Sequence, residues 1–177
     1  MSAKALCDLL LLLFVTAAAV SDLARRKIPN TWVVAGIATA LGLQLWLSPQ
    51  RLPLDWLGGM ATGFFLFLPL YVLRGMAAGD VKLMIMVGAF AGPWPAVLIC
   101  FSTFVCGGVM AVSMILWQGS WRDCLRNMRQ LLWPMIARAA GAPLAPTPLA
   151  RHASVGNMPY GLAIAVGTLV VQAHDYF

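Results

Sequence analysis

Six apolar runs, with charge confined almost entirely to the stretches between them, constrain this chain more than any other feature. They lie at about residues 5–21, 31–48, 54–73, 81–92, 94–117 and 158–175. A helix that crosses a bilayer needs roughly 17 to 25 such residues, and five of the six runs supply them. Charged residues make up only 10% of the chain and hydrophobic ones 61%, whereas a soluble domain carries about 25% charged residues. In lipid every backbone polar group must be satisfied within the protein, which helices do by themselves. The expected fold is therefore all-α: a polytopic transmembrane bundle of about six spans in which all 177 residues form one membrane-embedded domain. Membrane lipid is its first partner.

The fourth run, Val81 to Gly92, is closed by Pro93-Trp94-Pro95 and is too short for an ordinary crossing. It is expected to start within the membrane, to tilt into a thinned region, or to extend back through Met76. Irregular backbone at such depth survives only beside a wet, protein-lined cavity.

Orientation follows from the basic residues. Alternating sides put Arg25, Arg26, Lys27, Arg74, Lys82, Arg122, Arg126, Arg129, Arg138 and Arg151 together, against Lys4 and Arg51 opposite. By the positive-inside rule the first side is cytoplasmic and both termini are periplasmic. The net charge of +6 belongs to this bias; no polar segment interleaves bases with stacking aromatics, so nucleic acid is excluded as a partner. Lys4, the first run and Ala17-Ala18-Ala19 also have the form of a secretory signal peptide. The stronger cluster Arg25-Arg26-Lys27 follows the run, however, and holds that end inside.

From about 118 to 157 the chain changes character. Residues 121–140 set Arg122, Arg126 and Arg129 near one face and Leu125, Met128, Leu132 and Trp133 near the other, the pattern of a basic amphipathic helix on the inner leaflet. A Pro-rich stretch, APLAPTPLA, follows as an extended linker. The seven tryptophans cluster at run ends, where an interfacial belt accounts for them. The four cysteines, Cys7, Cys100, Cys106 and Cys124, form no C-x-x-C pair and read as core thiols. His152 and His174 have no partner at useful spacing. No metal or other cofactor is expected.

The chain has no Glu, and its six acids are all aspartates. Asp22 ends the first run, within S-D-L-A-R-R-K-I-P-N, and Asp80 opens the fourth, within G-M-A-A-G-D-V-K-L-M. The topology puts both at one membrane face. A carboxylate at the hydrocarbon edge is costly unless it is paired, wetted or used. Two carboxyl groups held close share a proton, so that one activates water while the other protonates a carbonyl; this is peptide hydrolysis without a metal. Gly79, lacking a side chain, would let a substrate backbone approach. The structural alternative pairs Asp22 with Arg25 or Arg26 and makes Asp80 a helix cap beside Lys82. Helix polarity leans toward Asp80 as base and Asp22 as holder of the shared proton. Asp8, Asp55, Asp123 and Asp175 fall near the other face or in loops and read as solvated charge.

Three segments, S-D-L-A-R-R-K-I-P-N, then A-G-D-V-K-L, then M-P-Y-G-L-A-I-A-V-G at 158–167, resemble the signature segments of the type IV prepilin peptidases, the GxGD-type membrane aspartyl proteases. The likeness is greatest to the short single-domain members that serve Flp-type (Tad) pili. It implies that Asp22 and Asp80 are the catalytic pair, supported by Pro29, Gly79, Lys82, Pro159 and Gly161. It also implies that the substrates are prepilins and pseudopilins cut after a glycine at the cytoplasmic face of the bacterial inner membrane, with the pilus-secretion machinery as a further partner. Longer members carry a domain with paired cysteines and methylate the new N-terminus; this chain, without such pairs, is expected to cleave only. Ala77 stands where the motif has its first glycine, which adds a methyl beside the catalytic loop. Two other functions account for the acids alone: a small transporter or channel using them as an ion relay, and a non-catalytic pilus-assembly scaffold.

Overall fold

A computed structural model describes residues 3–47, 53–73, 75–118 and 160–174. Among these, all regular structure is helical: α1 (Ala3–Arg25), α2 (Asn30–Leu47), a π-helical turn (Pro53–Leu57) running into α3 (Gly58–Val72), α4 (Ala78–Ala91), α5 (Pro93–Gln118) and α6 (Tyr160–His174). Residues 1–108 with 159–177 form one compact unit and 109–158 a second. The described part of the second is the end of α5.

Local chemistry sets the boundaries near the site. The Arg26 amide donates to the Asp22 carbonyl at 2.8 Å, and Arg26 takes the left-handed conformation, φ 53°, that closes α1. Pro29 bars a helical conformation at Ile28, so the chain turns there, and α2 starts at Asn30 with the Trp32 amide donating to the Pro29 carbonyl at 3.2 Å. At the far end of α4, Gly92 adopts φ 82° and hands the chain to Pro93, whose fixed φ suits the first position of α5.

The short fourth run is the centre of the bundle. Val81, Leu83, Met84, Met86, Val87, Gly88 and Ala89 of α4 are all buried, with α3, α2, α1 and α6 packed around them. Its 14 residues span roughly 21 Å, short of a hydrocarbon layer about 30 Å thick. Protein rather than lipid surrounds it, so its ends need not reach the bilayer surfaces. The helix begins at Ala78 and does not extend back through Met76.

Contact between α3 and α4 is made through backbone. A Cβ at Gly59 would strike the Gly88 carbonyl, one at Gly88 would strike that of Gly59, and one at Gly63 would come 2.5 Å from the Met84 carbonyl oxygen. Lipid tails offer no hydrophobic gain for helix association, so close van der Waals approach through small residues substitutes for it. Phe67 stacks on Phe104 of α5 with centroids 5.2 Å apart, and Gly167 brings α6 against the Thr103 backbone. On the outside, Leu13, Phe65, Phe101 and Val105 are each more than half exposed, the dress of a protein whose solvent is lipid.

Each of the six apolar runs contains one of these helices. Three are long and apolar enough to cross a membrane: Lys4–Arg25, Leu54–Val72 with its π-turn, and Pro93–Met114. The helix in the last run has 15 residues rather than a full crossing length. The expected surface helix at 121–140 and the Pro-rich linker lie outside the described residues.

Candidate active site

Asp22 sits in the last turn of α1 and Asp80 in the first turn of α4, and the packing of these helices brings the two acids together. They are 9% and 5% exposed and lie within electrostatic reach of each other. Each takes a backbone donor. Asp80 Oδ2 accepts the Ala77 amide at 3.1 Å, reaching back over its own helix start. Asp22 Oδ2 accepts the Gly161 amide of α6 at 3.0 Å. An acceptor at a helix N-terminus gains both a hydrogen bond and the favourable end of the helix dipole. Both acids therefore enjoy that stabilisation, and the asymmetry expected from α1 and α4 alone is offset by the amide that α6 supplies.

Among the described residues no ion pair ties either acid to a base. The Lys82 ammonium donates instead to Asn30 Oδ1 at 3.0 Å, joining the starts of α4 and α2, while Arg25 and Arg26 are exposed. The structural alternative thus holds in part for Asp80, which does cap its helix, but not as a partner of Lys82.

The residues around the pair fall into place differently. Pro29 shapes the turn between α1 and α2, and Ile28 of that turn lies against Gly79. A Cβ at Gly79 would meet Ile28 at 3.6 Å, an ordinary contact, so the fold itself does not require glycine there. Gly161 is the opposite case: a Cβ there would sit 3.0 Å from Asp22 Oδ2 and 3.1 Å from its Cβ. Ala77 has φ −82° and ψ 154°, extended backbone open to any L-residue, and its side chain is exposed. The methyl that replaces the motif glycine is accommodated without strain. Pro159 lies outside the described residues.

Sequence reasoning missed two neighbours. Asn30 receives Lys82. Tyr160, the first residue of α6, lies within electrostatic reach of Asp80; a phenol at the head of an apolar helix, within a motif already singled out, was the available signal.

At the opposite end of the bundle a cavity of about 280 Å³ is lined by Lys4, Asp8, Gln44, Asp55 and Gln172 among others. Asp8 is not merely solvated there, since Gln172 Nε2 donates to its carboxylate at 3.3 Å. Asp8 and Asp22 are fourteen positions apart on α1, roughly 21 Å along the axis, so this cavity is distinct from the acid pair. Cys100 is buried and Cys7 and Cys106 partly so, all as free thiols. Among the described residues no three His, Cys, Asp or Glu side chains gather to hold a metal ion.

Two buried carboxyl groups, one feeling the charge of the other, have the chemistry to hold one proton and one water between them, the requirement for acid–base hydrolysis of an amide. Comparison with known proteins bears on the same residues. No curated protein and no solved structure matches the chain. The model of the type IV leader peptidase family matches residues 9–112, a stretch that includes Asp22, Asp80 and the turns that carry them and stops short of α6. With more than half of its length matched, and with all-helical architecture and three membrane-length apolar helices, this chain belongs to the type IV leader peptidase family of membrane proteases.

Proposed function

We propose that the chain is an aspartyl endopeptidase of the bacterial inner membrane that removes the leader from Flp-type prepilins and pseudopilins at the cytoplasmic face, with Asp22 and Asp80 as the catalytic pair. What supports this reading is that both acids, on separate helices, are buried and each holds one backbone amide, and that Asp80 feels the charge of Asp22. One carboxylate takes a proton from water, whose oxygen attacks the scissile carbonyl. The other carboxyl protonates the carbonyl oxygen, and the proton then passes to the leaving nitrogen as the C–N bond breaks. Proton ownership belongs to the pair rather than to either acid. Gly79, which the fold leaves free of close contact, is the place for substrate backbone to pass.

The ten-to-two distribution of basic residues supports a cytoplasmic site and a multi-pass topology of about six spans with periplasmic termini. A substrate's apolar stem would lie in lipid beside the bundle while its leader stays in the cytoplasm. The absence of cysteine pairs from the sequence supports cleavage without N-methylation. Co-expression with small prepilins from the same genome, scored by mass, tests the substrate class. Loss of the leader is expected with this chain and not with Asp22→Asn or Asp80→Asn; uptake of an ion into proteoliposomes without any leader loss would instead favour a transporter.

A further inference from the structure

The cavity at the end of the bundle away from the acid pair gathers polar side chains from four separate elements, and the hydrolytic chemistry uses none of them. Lys4 and Asp8 come from α1, Gln44 from α2, Asp55 from the π-helical turn and Gln172 from α6. Gln172 is 7% exposed. Its amide nitrogen donates to the Asp8 carbonyl at 3.4 Å and to the Asp8 carboxylate at 3.3 Å, both longer than the usual N–H···O range. Its amide oxygen is buried with no hydrogen-bond partner among the described residues. Gln44 repeats the pattern: the nitrogen donates to the Ala89 carbonyl of α4 at 2.8 Å, and the oxygen is likewise buried and unpartnered. A buried amide oxygen without a donor is costly, and two glutamines that line this cavity each carry one. The terminal torsion of a glutamine is soft, so a donor in the cavity can draw either oxygen round.

The charges narrow what that donor is. Two carboxylates and one ammonium line the cavity, so acceptors and negative charge are in excess, and a cation with N–H groups is the match. A bare metal ion is not, since among the described residues no three His, Cys, Asp or Glu side chains gather. The volume of about 280 Å³ is that of roughly nine liquid waters, far more than one ion fills. The helix from Lys4 to Arg25 is long and apolar enough to cross a membrane, which sets Lys4 and Asp8 near one bilayer surface and Asp22 near the other. Headgroups are the concentrated solutes at such a surface, and one with a primary ammonium supplies three N–H donors, while its phosphate, a short chain away, answers Lys4.

We propose that this cavity is a binding site for a phosphoethanolamine group, the headgroup of a membrane lipid or its soluble counterpart. The ammonium lies among Asp8, Asp55 and the two glutamine oxygens, and the phosphate lies at Lys4. A ligand held by four elements of the folded bundle and by nothing in the unfolded chain raises stability by mass action. No residue of the acid pair takes part, so the site stands or falls apart from the peptidase reading.

The test uses purified protein stripped of lipid in detergent. It is titrated with dioleoyl phosphatidylethanolamine and, in parallel, with the phosphatidylcholine of the same chains, whose trimethylated nitrogen has no N–H. Retained lipid is counted by native mass spectrometry, and stability is read as the melting midpoint. Retention of phosphatidylethanolamine at least about tenfold tighter than phosphatidylcholine is expected, the order for loss of a hydrogen bond to a charged group, together with a higher midpoint. Asp55→Asn is expected to weaken the ethanolamine lipid by about tenfold and leave the choline lipid unchanged. Free phosphoethanolamine against free phosphocholine is the second arm: a preference of the same size there supports the site and makes the soluble compound a source, whereas a preference confined to the lipids names the lipid. No preference in either arm would overturn the proposal. So would a preference that survives unchanged in Asp55→Asn, since it would belong to the lipid phase and not to the cavity. Should Asp55→Asn fail to fold, the wild-type comparison still decides, because equal binding of the ethanolamine and choline compounds overturns the site by itself.

Discussion

Replacing Gly161 by alanine adds one methyl at the point where α6 touches Asp22, and the consequence can be worked from the contacts. The new carbon would sit 3.1 Å from Asp22 Cβ, 3.3 Å from Cγ and 3.0 Å from Oδ2. Carbon atoms settle at about 3.5 to 4.0 Å, so the two surfaces must separate by roughly 0.4 Å or more. Rotating the carboxylate does not relieve this, because Asp22 Cβ is fixed to the α1 backbone; either α6 or α1 has to move. The Gly161 amide, now 3.0 Å from Oδ2, would be drawn to about 3.4 Å, beyond the usual hydrogen-bond range. Asp22 then loses its only described donor and its alignment with Asp80. Misplacement of a reacting group by about 1 Å costs on the order of 100-fold in rate, so a shift of half that size is expected to lower kcat by about 10-fold. The assay is leader cleavage by purified protein under single-turnover conditions, beside a thermal melt that reports folding. Wild-type cleavage by folded Gly161→Ala would refute the claim that the α6 amide positions Asp22.

Gly79→Ala is expected to fold normally, since its Cβ finds ordinary room against Ile28, yet to cut slowly because substrate meets the new methyl. The combination of an unchanged melt with a loss of kcat/KM of at least about 10-fold checks it. Ala77→Gly restores the motif residue at a position with unstrained extended backbone, so cleavage within about twofold of wild type is expected in the same assay. Gly88→Ala pushes the α3 and α4 backbones apart and is expected to destabilise the bundle by at least about 1 to 3 kcal/mol, the usual cost of overpacking, read as a lower melting midpoint in detergent.

Asp22 and Asp80 are legible in the sequence as candidates because charge is rare enough in this chain for each aspartate to demand a reason, and because they flank runs whose alternation puts them at one membrane face. The central place of α4 was half legible: its shortness marked it as abnormal, but helices that are apolar all round carry no face signal, so the partners that sheathe it could not be named. That Gly59 meets Gly88, and Gly63 the Met84 carbonyl, emerges only when the helices are packed. The contact of Gly161 with Asp22 spans 139 positions, and no local pattern encodes it. The added methyl of Ala77 meets no conformational obstacle, because the backbone there is extended; what Asp80 uses is the Ala77 amide, which every residue but proline supplies.

The claim on which all of this depends is that both aspartates act together on the peptide bond. Single-turnover cleavage of one prepilin by purified wild type, Asp22→Asn and Asp80→Asn measures it most directly, since asparagine keeps the shape of the side chain and removes the titrating group. Both variants are expected to stay folded and to lose cleavage by at least about 1,000-fold, on the order of 4 kcal/mol in barrier. Either variant cutting at a rate near wild type would contradict the two-acid mechanism.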